Sequence, residues 1–425
     1  MILNTVRLPH FDASADKKTV KLPLPKKVII SLSQSIGASC EPLVKKGDAV
    51  LTGQLIGDSD AFVSVPVHAS VSGTVTGETE ILSVNGRLSR AVVIHTDSLQ
   101  KICEDLKPPV INNKESFLKA IRGSGSVGLG GAGFPTHVKL SFDSKKTPVD
   151  SLIINGAECE PYITSDYREI IENSQNIANG IKLVMKYLEI PTAIIGIERD
   201  KPLAIERMRE IVANNPEINV KPLSLRYPQG AEKILIYKTT GRTVREDERP
   251  YSAGCLVLNI STVAFIAEYV KTGIPMIKRR LTIDGDIVNK AVNVSVPIGT
   301  TLSELLQSAD ARIIPDRVIF GGPMMGSCVY DPDTPVGKTT SALLLFGNSK
   351  LKKESACIRC GKCIGSCSMN LSPVEINKAY DASNKPLLKK LRVGLCMNCG
   401  SCSYVCPAKR NISEKNQLAK QLIKG

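Results

Sequence analysis

Gly123 to Phe142 reads GSGSVGLGGAGFPTHVKLSF. Six of its first eleven residues are glycine. Such runs build tight turns in many folds, so the glycines alone are a weak signal. The residues after them are more informative. FPTHVKL has helical character, so the loop opens into a helix whose N-terminal N–H groups can meet a phosphate. Lys139 adds a positive charge nearby. The spacing is not the G-x-G-x-x-G that follows a strand in dinucleotide folds, and an ordinary Rossmann site is not what this loop predicts.

Outward from the loop, residues 106–273 alternate strand and helix patterns. SLIINGAE and TAIIGIER are short apolar strands, while Ile170, Ile171, Ile177, Ile181, Val184, Met185 and Leu188 recur at helical spacing. KPLAIERMREIVANN is a second helix with Pro202 in its first turn. The alternation predicts an α/β layer with a largely parallel sheet. Residues 1–105 read as short strands and turns, marked by Gly47-Asp48 and Asn85-Gly86. They are similar to the barrel-sandwich of lipoyl and biotinyl carriers, but Asp60-Ala61 stands where those carry a modified lysine, which predicts a structural or docking role. Residues 274–345 predict a small α+β module: strands on either side of Asp284-Gly285, then VNVSVP, then a helix from about Thr301. Residues 346–425 are a Lys-rich linker followed by cysteines.

Cys357, Cys360, Cys363 and Cys367 are spaced C-x2-C-x2-C-x3-C, and Cys396, Cys399, Cys402 and Cys406 repeat the spacing. This is the two-cluster bacterial ferredoxin pattern. Three thiolates from one run hold one cube, and the fourth cysteine reaches the other. Cys357, Cys360, Cys363 and Cys406 are expected to ligate one [4Fe–4S] cluster, and Cys396, Cys399, Cys402 and Cys367 the second. A zinc ribbon would use two CxxC pairs and leave thiols over. Pro407 follows the second run, whereas Ser368 takes that place in the first. Clustered cysteines in an odd total of 13 argue against a secreted disulfide framework.

The 425 residues suffice for three or four domains, and 42% apolar with 23% charged residues is ordinary globular composition. The net charge is +14, but the basic residues are dispersed and aromatics are only 4%, so nucleic-acid binding is not expected. No signal peptide and no membrane-length apolar run is visible, which predicts a reducing, cytoplasmic setting.

Several motifs carry a family resemblance. GLGGAGFPTHVKL resembles the flavin loop GRGGAGFPTGxKW of the NADH-oxidising 51 kDa subunit of respiratory complex I. NGAECEPYITSDYR, YPQGAEKILIYKTTG and LNISTVAFI resemble further motifs of that subunit. Together with both ends of the chain, they make the whole sequence similar to the C-subunit family of Rnf complexes, the ion-translocating ferredoxin:NAD+ oxidoreductases. Leu129, Ala231 and His137 depart from the complex I motifs, and RLPHF departs from the N-terminal GGxHP of the Rnf family.

The resemblance implies non-covalent FMN at Gly128, Gly130, Gly131, Lys139, Asn155, Glu158, Gly230, Glu232, Asn259 and Thr262. It makes Phe134 and Phe142 candidates to stack on the nicotinamide or adenine of NAD(H), with Glu160 nearby. Core packing for Phe134, helix-start roles for Glu158 and Glu160, and a solvated charge for Lys139 are the competing readings. The implied protein is multidomain: an all-β barrel-sandwich (1–105), an α/β FMN/NADH-binding domain (106–273), a β-grasp SLBB module (274–345) and a helical double-[4Fe–4S] ferredoxin-like domain (346–425). It would be an iron–sulfur flavoprotein oxidoreductase, attached peripherally to the cytoplasmic face of the membrane. Its partners would be the other Rnf subunits, integral ones included, with NADH as substrate and ferredoxin reached through the complex. A cobalamin-reductase flavoprotein of microcompartments shares the architecture, and a scaffold that only wires clusters is a third reading.

Overall fold

The computed structural model describes residues 4–83, 86–347 and 353–423. Asn85 of the expected turn and residues 348–352 of the Lys-rich linker lie outside these. At the centre is a four-stranded, all-parallel sheet. Its strands in chain order are β1 (Ser151–Gly156), β2 (Thr192–Glu198), β3 (Ile218–Leu223) and β4 (Cys255–Asn259), and their spatial order is β3-β2-β1-β4. Nearly continuous apolar runs such as Leu152, Ile153 and Ile154, each at 0% exposure, suit a sheet covered on both faces. The strand order is that of a doubly wound fold. The glycine-rich loop nevertheless precedes β1 instead of following it, which is why its spacing is not the dinucleotide one.

The helices around this sheet begin with α1 (Lys114–Gly123), capped by Asn113, and α2 (Thr136–Leu140), which directly follows the glycine loop. Next come α3 (Ser165–Leu188), α4 (Pro202–Val212), α5 (Glu232–Thr240) and α6 (Ile260–Thr272). The predicted periodic residues of α3 face the main core: Ile170, Ile177, Ile181, Val184 and Leu188 are all buried there. Gly180 lets α3 approach α6, since a Cβ at that position would lie 1.9 Å from the Val263 carbonyl oxygen.

On the N-terminal side, a four-stranded and a three-stranded antiparallel sheet enclose Val28, Ile30, Val50, Ile56, Val67, Val75, Val92 and Ile94. On the other side is a six-stranded mixed sheet with Lys278–Asp284 paired to Val292–Pro297 and to Ala342–Phe346. The short segment after Gly285 forms no strand, so the expected strand on that side of the Asp284-Gly285 turn is a loop. The helix expected near Thr301 is α7 (Leu302–Ser308), with the Thr301 hydroxyl accepting from Glu304 N–H. Val20–Lys21 adds to the sheet edge beside Val292–Pro297. The C-terminal part is helical: α8 (Lys362–Gly365), α9 (Pro373–Asp381), α10 (Lys385–Lys390), α11 (Ser401–Tyr404) and α12 (Ile412–Leu422).

Candidate functional site

The chain leaves β1 for β2 and β3 on one side of the sheet, then crosses to β4 on the other. The crevice at the carboxyl ends of β1 and β4 is therefore the topological switch point, where open α/β sheets bind ligands. Asn155 and Asn259 stand opposite each other there, in register. The Asn155 amide donates to the Gly230 carbonyl at 2.9 Å and accepts from Ala157 N–H. Asn259 caps α6 by accepting from Ser261 and Thr262 N–H, and its amide donates to Asp166 Oδ2 at 2.7 Å.

The glycine loop lies over this crevice. It closes on itself through Gly128 N–H to Phe134 O (2.9 Å) and Gly133 N–H to Gly128 O (3.2 Å). Leu129 N–H donates to Thr262 Oγ1 at 3.0 Å, which ties the loop to the start of α6. A Cβ on Gly130 would rest 3.4 Å from the Asn259 side chain. Gly131 has φ +109°, and a Cβ there would meet no protein atom within 4 Å. Among the described residues, the N–H groups of Gly130, Gly131 and Ala132 donate to no protein acceptor. A left-handed glycine facing open space beside three free N–H groups fits an anionic, phosphate-bearing ligand.

Seven of the expected residues thus meet at one crevice: Gly128, Gly130, Gly131, Asn155, Gly230, Asn259 and Thr262. Gly230 fits closely, since a Cβ there would come 2.8 Å from Ala157 O. Lys139, in the last turn of α2, and Glu232, at the start of α5, meet each other half-exposed, with Nζ 2.6 Å from Oε1. Neither is simply a solvated charge, and a ligand phosphate would have to share Lys139 with Glu232.

The two carboxylates have local structural partners. Glu158 accepts from Asp166 N–H at 2.8 Å and Tyr167 N–H at 3.0 Å, so it caps α3. Burial, and then the neighbouring Asp166, push it up to about 7. Glu160 accepts from Met324 N–H at 3.0 Å, while its Oε1 is buried without a partner. Burial raises it to about 7 as well. Phe134 is half-buried on the loop. Phe142 packs in the main core at 8% exposure, its ring near-parallel to Tyr251 at 6.0 Å and under Lys114 Nζ at 4.8 Å.

Two residues near the crevice were not singled out from sequence. Asp166 joins the starts of α3 and α6 by accepting from Asn259 and, at 2.5 Å, from Ser261 Oγ. Arg279, buried in the mixed sheet, donates to Leu129 O and Thr340 O and so braces the loop from behind. Only Asp166 had a local signal, since it lies in the TSDYR stretch.

The eight repeated cysteines are all free thiols. Cys367, Cys396, Cys399 and Cys402 line one cavity, so the fourth cysteine of the first run joins the first three of the second. Burial, then Cys396, Cys399 and Cys367 in turn, push the Cys402 thiol up to about 12. Thiols pressed together in this way ionise readily only when a cationic centre offsets their charge. In the other set, Cys363 and Cys406 pack together beside Ile412, and Cys357 and Cys360 are exposed. Among the described residues, no group of three or more His, Cys, Asp or Glu could hold a metal ion. The four cysteines share the lining of one small cavity and their thiols do not converge on a point. The backbone repeats as well: Arg359 and Gly361 have positive φ, as do Asn398 and Gly400, and so do Asn370 and Lys409 three residues after each fourth cysteine. Left-handed residues within such loops turn N–H groups toward an anion, a concavity common at iron–sulfur sites. Donor set and backbone both fit clusters.

Comparison with known proteins gives matches across this architecture. Residues 4–99 match the RnfC barrel sandwich hybrid domain, and residues 121–268 match the Nuo51 FMN-binding domain. The C subunit of the Na+-translocating ferredoxin:NAD+ oxidoreductase complex of Acetobacterium woodii is 41% identical, over 85% of this chain and 84% of its own. The proton-translocating counterpart of Clostridium ljungdahlii is 41% identical, over 85% and 80%. The C subunit of the ion-translocating oxidoreductase complex of Pseudomonas aeruginosa is 37% identical, over 84% of this chain but only 47% of its own longer one. Among solved structures, an NAD+-reducing [NiFe]-hydrogenase in the air-oxidised state superposes with a TM-score of 0.52 at 18% identity. That match covers 73% of this chain and 63% of the hydrogenase chain, and it speaks to fold alone.

Proposed function

Because the chain belongs to the family of C subunits of ion-translocating ferredoxin:NAD+ oxidoreductase complexes, we propose that it exchanges hydride between NAD(H) and FMN and single electrons with two [4Fe–4S] clusters. A flavin takes an electron pair and releases electrons singly, whereas clusters carry one at a time. The observation that carries this reading is the glycine loop lying over the switch point, with open space at Gly131 and Asn155 opposite Asn259 beneath it.

In this reading the N–H groups of Gly130 to Ala132 bind the FMN phosphate. Asn155, Asn259 and Thr262 fix the loop against the strand ends. Lys139 supplies positive charge toward the phosphate or the reduced ring, held in place by Glu232. Phe134 is the candidate surface for the nicotinamide or adenine; Phe142, packed in the main core, is not free to stack on either. Glu158 serves indirectly, by fixing the start of α3. We read the mixed sheet as the β-grasp module and the C-terminal helices as a two-cluster ferredoxin-like domain. Cys367, Cys396, Cys399 and Cys402 would hold the buried cluster, and Cys357, Cys360, Cys363 and Cys406 the exposed one. Because Cys357 and Cys360 are exposed, we read the second set as the one that exchanges electrons with a partner protein.

The test is anaerobic purification of the full chain, with FMN, iron and sulfide assayed and the visible spectrum followed after NADH is added. Bound FMN, with bleaching of both flavin and iron–sulfur absorbance, is expected. A chain that retains clusters but neither binds FMN nor bleaches would be a wiring scaffold.

A further inference from the structure

The loop Gly321–Gly326, GGPMMG, follows the Arg317–Phe320 strand of the mixed sheet and has no part in the function proposed above. It nevertheless lies between the crevice and the cysteine cavity. On one side Met324 N–H donates to Glu160, just beyond β1. A Cβ on Gly322 would sit 2.2 Å from the same carboxylate, so that approach requires glycine. On the other side the loop covers the second cysteine run: a Cβ on Gly400 would come 2.9 Å from Met324 O and 3.5 Å from Met324 Cε.

Tyr227 closes the same junction. It is 2% exposed, and its hydroxyl donates to the Cys399 carbonyl at 2.7 Å. Its backbone pairs in both directions with Val6. Val6, Leu8 and Tyr227 form a buried apolar cluster against which Cys159, Met324, Cys399 and Val405 pack. One apolar plug therefore joins the end of β1, the GGPMMG loop and the loop of Cys399.

We propose that Tyr227 and Met324 are positioning residues for the cavity of Cys367, Cys396, Cys399 and Cys402, holding the Cys399 loop against the crevice and keeping water from it. This rests on the reading of that cavity as a [4Fe–4S] site. Cluster potentials respond to solvent exposure and to hydrogen bonds around the ligands. Reduction adds negative charge, which a dry surround disfavours. Trimming Met324 admits water and raises the potential. The Tyr227 hydroxyl turns the positive end of its dipole toward the main chain of a ligand cysteine, and losing it lowers the potential. General loosening of the fold would instead admit water in both variants and shift both the same way.

The test is an EPR-monitored redox titration of the anaerobically purified full chain and its Met324→Ala, Met324→Leu and Tyr227→Phe variants. The buried cluster is assigned as the signal lost in Cys399→Ala. Its midpoint should rise in Met324→Ala, stay at the wild-type value in Met324→Leu and fall in Tyr227→Phe, while the second signal and the FMN content hold. If Tyr227→Phe sheds iron, the Ala and Leu pair at Met324 still decides. An unmoved midpoint in Met324→Ala, or equal shifts of both signals, overturns the proposal. A wild-type chain without two cluster signals overturns the reading of the cysteine runs, and this proposal with it.

Discussion

At the scale of single residues, Gly131 and Glu160 make the sharpest expectations. Gly131→Val forces a β-branched side chain into a left-handed backbone and fills the space over the crevice, where no protein atom yields to it. FMN content should fall to near zero while iron and sulfide stay at wild-type levels, as fluorescence and metal assays will show. Glu160 is raised to about 7 by burial, so it binds a proton in the folded chain that the unfolded chain releases near pH 4.5. The stability it contributes is full below about pH 4.5 and is lost as pH rises through 7. A shift of that size corresponds to roughly 3 kcal/mol. Glu160→Gln cannot titrate, so its melting temperature relative to wild type should climb across that window, and parallel curves would contradict the assignment. Sequence motifs reached most of the crevice because glycines and asparagines at strand ends are constrained locally. They did not reach Arg279, whose contacts come from distant elements. The helix-start role that competed for Glu158 is the one its contacts with the N–H groups of α3 support.

At the scale of elements, periodicity carried the reading wherever a segment buries one face. The helices α3 and α4 and the strands β1 and β2 were legible for that reason. The approach of α3 to α6 was not, because it depends on Gly180 meeting backbone across the sequence. Gly180→Ala should cost about 1–3 kcal/mol by overpacking. It should also weaken FMN retention, because Val263 adjoins Thr262 and any displacement of α6 moves the Asn259 cap. Denaturant melts and flavin release measure the two effects separately. In the cysteine runs, spacing alone suggested crossed sets, and the cavity shared by Cys367 with the second run is consistent with them. With both clusters present, about eight irons and eight sulfides per chain are expected. Cys406→Ser should then damage the cluster of Cys357, Cys360 and Cys363 and spare the buried one. Loss of the buried signal instead would mean that each run binds its own cube.

At the scale of the whole molecule, sequence-distant segments are stitched together by a few buried contacts that composition does not reveal. Lys338, fully buried, donates to Pro66 O and Gly125 O and so joins the N-terminal sheets to the approach of the glycine loop. Tyr227 joins the crevice to the cysteine region, and Arg392 pairs with Glu246 at 3.1 Å. A chain braced in this way presents one charged surface, with a net charge of +14. No helix among the described residues is long and apolar enough to cross a membrane. Attachment to a membrane assembly, as the proposed function requires, then has two possible physical origins. Lipid charge attracts a basic surface, but that attraction is screened over about 10 Å at 0.1 M salt. A packed protein interface buries apolar area and tolerates salt. The two separate cleanly in membrane fractions washed at rising ionic strength, with and without the integral subunits, beside protein-free anionic vesicles. We expect retention at high salt that depends on the integral subunits, with binding to vesicles only at low salt. Release from native membranes at the same salt that releases the vesicles would leave charge as the whole of the attachment. A chain that never sediments with membranes containing those subunits would instead favour a free-standing flavoprotein, because the electrons it handles would then have no fixed partner at the exposed cysteines.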